Sequence, residues 1–371
     1  MKIGIDARVL DRKMTGVGRY LKNLIDGIPK IDLENEYYVF INDETLIDTK
    51  FYKRIPVKDS WLPDKIYSAL WLNFILPSEI KKYKIDVFFT CNILLPFLKI
   101  RKTKTITVVH DIIQKAKKEF YPISYRIYLG ILLPITFRNA DVIITASEFS
   151  KSDIVRFYPI TKAKLQVIYT SAEKKFQQRH LSTAEKADLH TKYNLPRKFL
   201  LYVGVIEKRK NISGLFEIAN KLENDNITIP IVVIGRQGFG YSDIQQRAEN
   251  SNGKIIYINF VSDEDLPKIY NLAYLFLFPS FYEGFGIPPI EAMQSGIPVI
   301  SSDTTSLPEV LGDAAVLLPP NNIDRFVEEI KKMFSDSKYY EEYKLKGLEH
   351  ARKYDYIKSS KQFVNTINKL K

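Results

Sequence analysis

Short apolar runs alternate with amphipathic stretches along this chain of 371 residues. In the first half the runs cover residues 2–6, 37–41, 87–90, 105–110, 142–146 and 165–168. Polar or turn residues bound each one, which predicts a short strand rather than a helix. Helical patterns lie between them, for example at 18–28 and 148–157. Ser147 is placed to cap the second of these, because its hydroxyl can accept an N–H of the first turn. The alternation restarts with runs at 199–204, 229–235, 254–260, 274–278, 298–301 and 315–318. Strands that are apolar at nearly every position are buried on both faces, so the pattern predicts parallel sheets covered by helices. Between the halves lies a charged stretch from Ser171 to Arg197, with Asn194-Leu195-Pro196 near its end. It is the expected boundary. The predicted fold class is α/β, with one Rossmann-like domain at 1–172 and a second at 173–356.

Composition agrees with two packed domains: 45% of residues are hydrophobic and 13% aromatic. The single cysteine, Cys91, rules out an intramolecular disulfide and fits a reducing compartment. It follows the predicted strand 87–90 and is expected to be a buried structural thiol. The N-terminus begins as a strand, without the apolar core of a signal peptide. The longest apolar runs, such as 129–137 with Pro134 inside, are too short to span a bilayer. A cytoplasmic protein is expected.

Net charge is +12, with a pI near 9.3, which points to nucleic acid, an anionic membrane or an acidic substrate. Nucleic acid is not expected, since no nucleic-acid-binding motif is present. Basic residues mix with aromatics at 53–84, around Trp61, Tyr67 and Trp71. They do so again at 115–138, around Phe120, Tyr121, Tyr125, Tyr128 and Phe137. This mixture suits an anionic membrane surface. An AT-rich coding bias toward Lys, Ile and Tyr would produce it too.

The densest chemistry lies at 279–291. Glu283 and Glu291 stand eight positions apart, with Gly284-Phe285-Gly286 and Pro288-Pro289 between them. Proline suits a first helical turn, where its missing N–H costs no bond. The expected order is strand 274–278, a glycine loop carrying Glu283, a helix over 289–294 with Glu291 on its first turn, and a cap at Gly296. A glycine loop entering a helix offers backbone N–H groups to an anion. The carboxylates can accept hydrogen bonds from sugar hydroxyls. Phosphate plus hydroxyls describes a nucleotide sugar.

This segment, with Pro279-Ser280 before it and Glu291-Ala292-Met293 closing it, resembles the E-x7-E signature of retaining GT-B glycosyltransferases of family 4, in particular the bacterial mannosyltransferase-like group. Ser306-Leu307-Pro308-Glu309 extends the likeness, which covers nearly the whole chain. The resemblance implies a GT-B fold with its two domains facing across a cleft. It implies a C-terminal helix, about 357–371, crossing back to the first domain. It also implies transfer of a hexose, mannose above all, from a GDP- or UDP-sugar to a glycan or lipid-linked acceptor, with no metal and no cofactor.

The resemblance carries roles onto particular residues. Gly16, in Thr15-Gly16-Val17-Gly18-Arg19-Tyr20, would meet the donor diphosphate. His110, with Asp111 beside it, would serve the donor sugar near the anomeric carbon. Arg209 and Lys210 would hold the diphosphate, although Val205 stands where many relatives have an arginine. Backbone N–H groups of Phe285, Gly286 and Ile287 would help hold it. Glu283 would contact the sugar and Glu291 the ribose. Ile234-Gly235-Arg236-Gln237-Gly238 resembles a second glycine turn near the donor, and Asn259-Phe260-Val261 would lie by the base. Ser262-Asp263-Glu264-Asp265 contains an Asp-x-Asp pattern that could suggest a metal. Its position before a helix favours a capping box from Ser262 to Asp265. A sugar epimerase on the same fold and a non-catalytic binding subunit are the rival readings.

Overall fold

The computed structural model describes residues 1–11, 16–57, 61–238 and 243–371. It contains two parallel sheets. The first holds β1 (Lys2–Asp6), β2 (Glu36–Phe40), β3 (Lys53–Ile55), β4 (Val87–Thr90), β5 (Lys104–Val108), β6 (Val142–Thr145) and β7 (Leu165–Val167). Their order is β3-β2-β1-β4-β5-β6-β7. The second holds β8 (Leu200–Val203), β9 (Ile231–Ile234), β10 (Ile255–Ile258), β11 (Leu275–Phe278), β12 (Val299–Ser302) and β13 (Val316–Leu318). Here the order is β10-β9-β8-β11-β12-β13. Strand order reverses between β1 and β4 in one sheet and between β8 and β11 in the other. In such sheets the crevice beyond the carboxyl ends at the reversal is where ligands bind.

Contacts divide the chain into two compact units: Met1–Ser171 with Asp355–Lys371, and Ala172–Tyr354. In the first unit, helices cover both faces of the sheet. Neighbouring residues of β4 show this directly. Phe89 packs with Ile5, Leu24 and Phe363, whereas Phe88 packs with Trp71, Leu133 and Phe137. The C-terminal helix Tyr356–Asn368 lies against the helix Gly16–Gly27, where Ser360 Oγ donates to the Leu24 carbonyl at 3.4 Å. Gly27 permits this approach, since a Cβ there would lie 2.1 Å from Ser360 Oγ.

Several local expectations need correction. β5 ends at Val108, so His110 stands on the following loop instead of on the strand. The helix expected over 289–294 starts at Ile287, which moves Glu291 into its second turn. β3 was not anticipated. It is a three-residue edge strand with two exposed basic residues, too short and polar to register as an apolar run.

Candidate active site

The second sheet builds a charged cluster at its strand reversal. β11 is buried throughout and ends at Phe278. The chain then runs through 279–286 and enters the helix Ile287–Gln294 at Gly286, whose φ is +95°. That left-handed backbone favours glycine. A Cβ at Gly286 would also lie 2.8 Å from Leu307 Cδ2. Pro288 and Pro289 sit in the first turn and supply no N–H, so the amides able to face an anion at this helix start narrow to the Gly286 side of the prolines.

β8 is the hydrogen-bonded neighbour of β11, and it leads into the turn Lys208–Lys210. Strand order thus brings Arg209 and Lys210 to Glu283. Lys210 Nζ bonds Glu283 Oε1, and Arg209 Nη1 lies 3.1 Å from Glu283 Oε2. Arg209 also donates to the Tyr282 carbonyl at 3.1 Å and to Glu207 Oε2 at 2.7 Å. Lys210 and Glu283 are both buried, with Lys210 Nζ 5.0 Å from the centre of the Phe278 ring. Burial alone would raise the Glu283 pKa. The charges of Lys210 and Arg209 outweigh it and hold the carboxyl below its ordinary range. Burial and the Arg209 charge push the Lys210 ammonium down. Glu207 and Glu283 therefore balance the two cations.

Three residues fix the backbone beneath Glu283. Thr305 Oγ1 accepts from the Glu283 N–H at 3.0 Å, Ser306 Oγ donates to the Glu283 carbonyl at 2.9 Å, and Thr304 Oγ1 donates to the Ser280 carbonyl at 3.2 Å. Ser306 belongs to the motif that extends the family likeness, and Thr304 and Thr305 stand directly before it.

Glu291 is fully buried and accepts a hydrogen bond from Tyr270 at 2.8 Å. The glycine turns after β8 and β9 meet each other. Gly204 N–H donates to the Ile234 carbonyl and Ile206 N–H to the Arg236 carbonyl, at 2.9 and 3.0 Å. A Cβ on Gly235 would lie 1.9 Å from the Gly204 oxygen. Asn259 is close enough to take a hydrogen bond from Tyr257 at 3.1 Å.

The Asp-x-Asp segment forms the turn before the helix Leu266–Leu272, and the capping box expected from Ser262 to Asp265 does not form, since Asp265 itself is the N-cap and makes no side-chain cap bond. Ser262 Oγ accepts from the Asp265 N–H at 3.2 Å. The Asp265 carboxylate turns away to Lys192 and Tyr193, both at 2.8 Å, so the reciprocal bond is missing. Among the described residues no group of three or more His, Cys, Asp or Glu could hold a metal ion.

In the first unit, Gly16 is the exposed first residue of the helix Gly16–Gly27. Thr15 of that motif lies outside the described residues. His110 follows β5, and its ring meets the buried Tyr20 ring edge-on at 5.2 Å. His110 Nε2 and the Tyr20 hydroxyl are both buried, without a hydrogen-bond partner among the described residues. Burial lowers the His110 pKa to about 4, so the ring is neutral at neutral pH. The sign follows: a histidine with a depressed folded pKa favours folding above its unfolded value and loses that contribution as pH falls toward 4. An NMR titration of the histidine rings is expected to show His110 uncharged down to about pH 5. A midpoint near 6.5 would contradict the burial argument.

Two parallel Rossmann-like sheets, with basic and glycine turns at the carboxyl ends of the second, define the GT-B class of fold. Residues 185–350 match the family described as glycosyl transferases group 1, and residues 14–173 match Glycosyltransferase Family 4. The chain belongs to these family 4, group 1 glycosyltransferases, and it is a transferase enzyme. It is 28% identical, over the full length of both chains, to the O-antigen chain mannosyltransferase B of Escherichia coli. Among solved structures it resembles sucrose-phosphate synthase from Thermosynechococcus elongatus, with a TM-score of 0.76 and 17% identity, covering 100% of this chain and 98% of that one. It also resembles Anabaena HepE in complex with UDP and glucose, with a TM-score of 0.75 and 15% identity over the whole of both chains. At those identities the solved structures speak for the fold.

Proposed function

We propose that the protein is a retaining, metal-independent hexosyltransferase. It moves mannose from a nucleoside diphosphate sugar, GDP-mannose first among them, to a hydroxyl of a glycan or lipid-linked oligosaccharide in polysaccharide or O-antigen-type synthesis. The observation that carries this reading is the buried Glu283 carboxylate clamped by Arg209 and Lys210 at the strand reversal of the second sheet. The O-antigen mannosyltransferase relative supports the choice of sugar and acceptor class.

Breaking the glycosyl–phosphate bond leaves negative charge on the departing diphosphate and positive charge on the anomeric carbon. Arg209, Lys210 and the amides of the Phe285–Ile287 stretch take the first charge. Fixed donors stabilise such charge because they need no reorganisation during the reaction. Glu283 contacts the sugar hydroxyls and supports the second charge. As diphosphate engages the two cations, they are drawn from Glu283, whose carboxylate is then turned toward the sugar. His110 serves the donor sugar. Its neutral ring can hydrogen-bond without repelling the developing positive charge. Gly16 lets backbone approach the diphosphate. No side chain is assigned as general base, and the leaving phosphate takes the acceptor proton on the same face. For Glu291 the assignment to ribose carries a condition: its buried surroundings must open when donor binds.

A thermal-shift panel of nucleotide sugars tests this reading. At 100-fold excess over its Kd, GDP-mannose is expected to stabilise the protein by about 2.7 kcal/mol, which reads as a Tm rise of several degrees. A larger rise with a UDP-sugar would reassign the base. No rise with any nucleotide sugar would sink the proposal.

A further inference from the structure

The first unit's sheet has its own strand reversal, between β1 and β4, and buried polar groups gather at the carboxyl ends there. Asp6 ends β1 and is fully engaged: Arg8 donates to it twice, at 2.8 and 2.9 Å, and Asn92 donates at 3.0 Å. Tyr20 and His110 differ. Tyr20 lies on the helix Gly16–Gly27 and is 1% exposed. His110 follows β5, and Thr145 Oγ1 donates to its carbonyl at 3.5 Å. The two rings are in contact, yet neither the Tyr20 hydroxyl nor His110 Nε2 has a partner among the described residues.

A buried polar atom without a partner is unfavourable. The same core shows what a tyrosine hydroxyl does when its role is structural. Tyr37 and Tyr52 pack in one cluster with Tyr20. Tyr37 donates to Asp32 Oδ2 at 2.5 Å, and Tyr52 donates to the Ile25 carbonyl at 2.6 Å. Phenylalanine would fill the space of Tyr20 without the unpaired oxygen, so packing does not account for that hydroxyl.

Its place and its charge select what hydrogen-bonds it. Gly16 is exposed, and among the described residues nothing stands within 4 Å of where its Cβ would be. Tyr20 is four residues on, one turn along the same face of the helix. A ligand seated against Gly16 therefore reaches Tyr20 and His110 next. Burial first, then Cys91, holds the Tyr20 phenol well above its ordinary range, so it is a neutral hydroxyl. The His110 ring is neutral as well. Two neutral groups suit uncharged hydroxyls and offer no counter-charge to phosphate.

We propose that Tyr20 is a further contact for the donor sugar, its O–H hydrogen-bonded to a sugar hydroxyl beside His110. The contact rests on the glycosyl-transfer reading and adds a residue to it. The two rings part from their edge-on packing as the sugar enters, and both unpartnered atoms then gain partners on one ligand.

Tyr20→Phe tests this, because it keeps the ring and removes only the oxygen. Without ligand, its Tm is expected to stay level or rise by up to about 2 °C, since an unpaired buried hydroxyl is lost. Its kcat/KM for GDP-mannose is expected to fall about tenfold. Thermal shifts separate the sugar from the nucleotide. GDP, which lacks the hexose, is expected to raise Tm equally in wild type and variant, and GDP-mannose to raise it less in the variant. A UDP-sugar and UDP replace this pair if they shift the wild type more. Equal responses to the nucleotide sugar with unchanged turnover would overturn this inference alone. So would a weaker response to the free nucleotide, which would put Tyr20 at the nucleotide. A Tm loss of several degrees without ligand would also overturn it, by making the hydroxyl structural. A wild type that responds to no nucleotide sugar would remove the glycosyl-transfer reading and this contact with it.

Discussion

Glu283→Gln is expected to lower kcat/KM by more than about tenfold, the scale of a lost transition-state contact, and to destabilise the second unit at the same time. The two effects share one cause. Lys210 is buried with Glu283, and Arg209 reaches the same carboxylate. Removing the carboxylate charge leaves the buried Lys210 beside Arg209 without its counter-ion, while Arg209 keeps Glu207. Breaking a buried ion pair from one side typically costs about 3–5 kcal/mol, far more than losing a surface pair. Arg209 is partly exposed and can turn to water, so the lower part of that range is expected. Calorimetry reads the stability loss and donor turnover reads the activity loss.

The pH dependence of the wild type has a fixed sign. Because the folded pKa of Glu283 is depressed, the pair stabilises the protein above the ordinary glutamate value, about 4.3, and that contribution fades as pH falls through the folded value. Glu283→Gln should therefore lose less stability on acidification than the wild type. A variant with wild-type turnover would show that Glu283 holds the fold without touching the reaction.

Gly235→Ala is expected to cost the second unit about 3–5 kcal/mol, from overpacking combined with backbone strain. The new methyl group would meet the Gly204 carbonyl oxygen at 1.9 Å, and that atom belongs to backbone on the neighbouring strand end. It cannot swing aside as a flexible side chain would. The φ of +153° adds strain for any residue with a Cβ. The turn after β8 would have to separate from the turn after β9, and the former turn carries Arg209 and Lys210. Activity should fall with stability. Gly16→Ala is the control: among the described residues a Cβ there meets nothing within 4 Å, so stability should change by no more than about 0.5 kcal/mol. Comparable Tm values for the two variants would contradict the close approach.

The twelve apolar runs of the sequence all became strands, because strands buried on both faces leave a continuous signal. What lacked such a signal was missed. β3 is basic, short and at the sheet edge. Glu283, Arg209 and Lys210 could each be singled out from local motifs, yet their mutual pairing could not. Glu283 and Arg209 are 74 residues apart and meet only because β8 and β11 are neighbours in the sheet. The bonds from Thr304 and Thr305 were illegible for a related reason: the sequence places their hydroxyls in a turn after β12 but does not show which backbone groups they meet. The two basic-aromatic stretches were visible separately. That they share a side shows only in the fold, where Trp71 and Leu133 enter one core cluster and the 93–98 loop bonds Asn73 and Asn139. For Glu291 the fold adds what the motif does not show. Its motif assigned it to a ligand, and the fold gave it full burial and Tyr270 as a partner.

The most direct test of the glycosyl-transfer account follows GDP-mannose carbon-labelled at the anomeric position by NMR, in the presence of EDTA, with and without a lipid-linked glycan fraction. The account predicts that the label stays on the nucleotide until acceptor is added. It then moves into a product of the same anomeric configuration, while Glu283→Gln leaves it in place. Epimerised sugar in the absence of acceptor, or a product of inverted configuration, would contradict it.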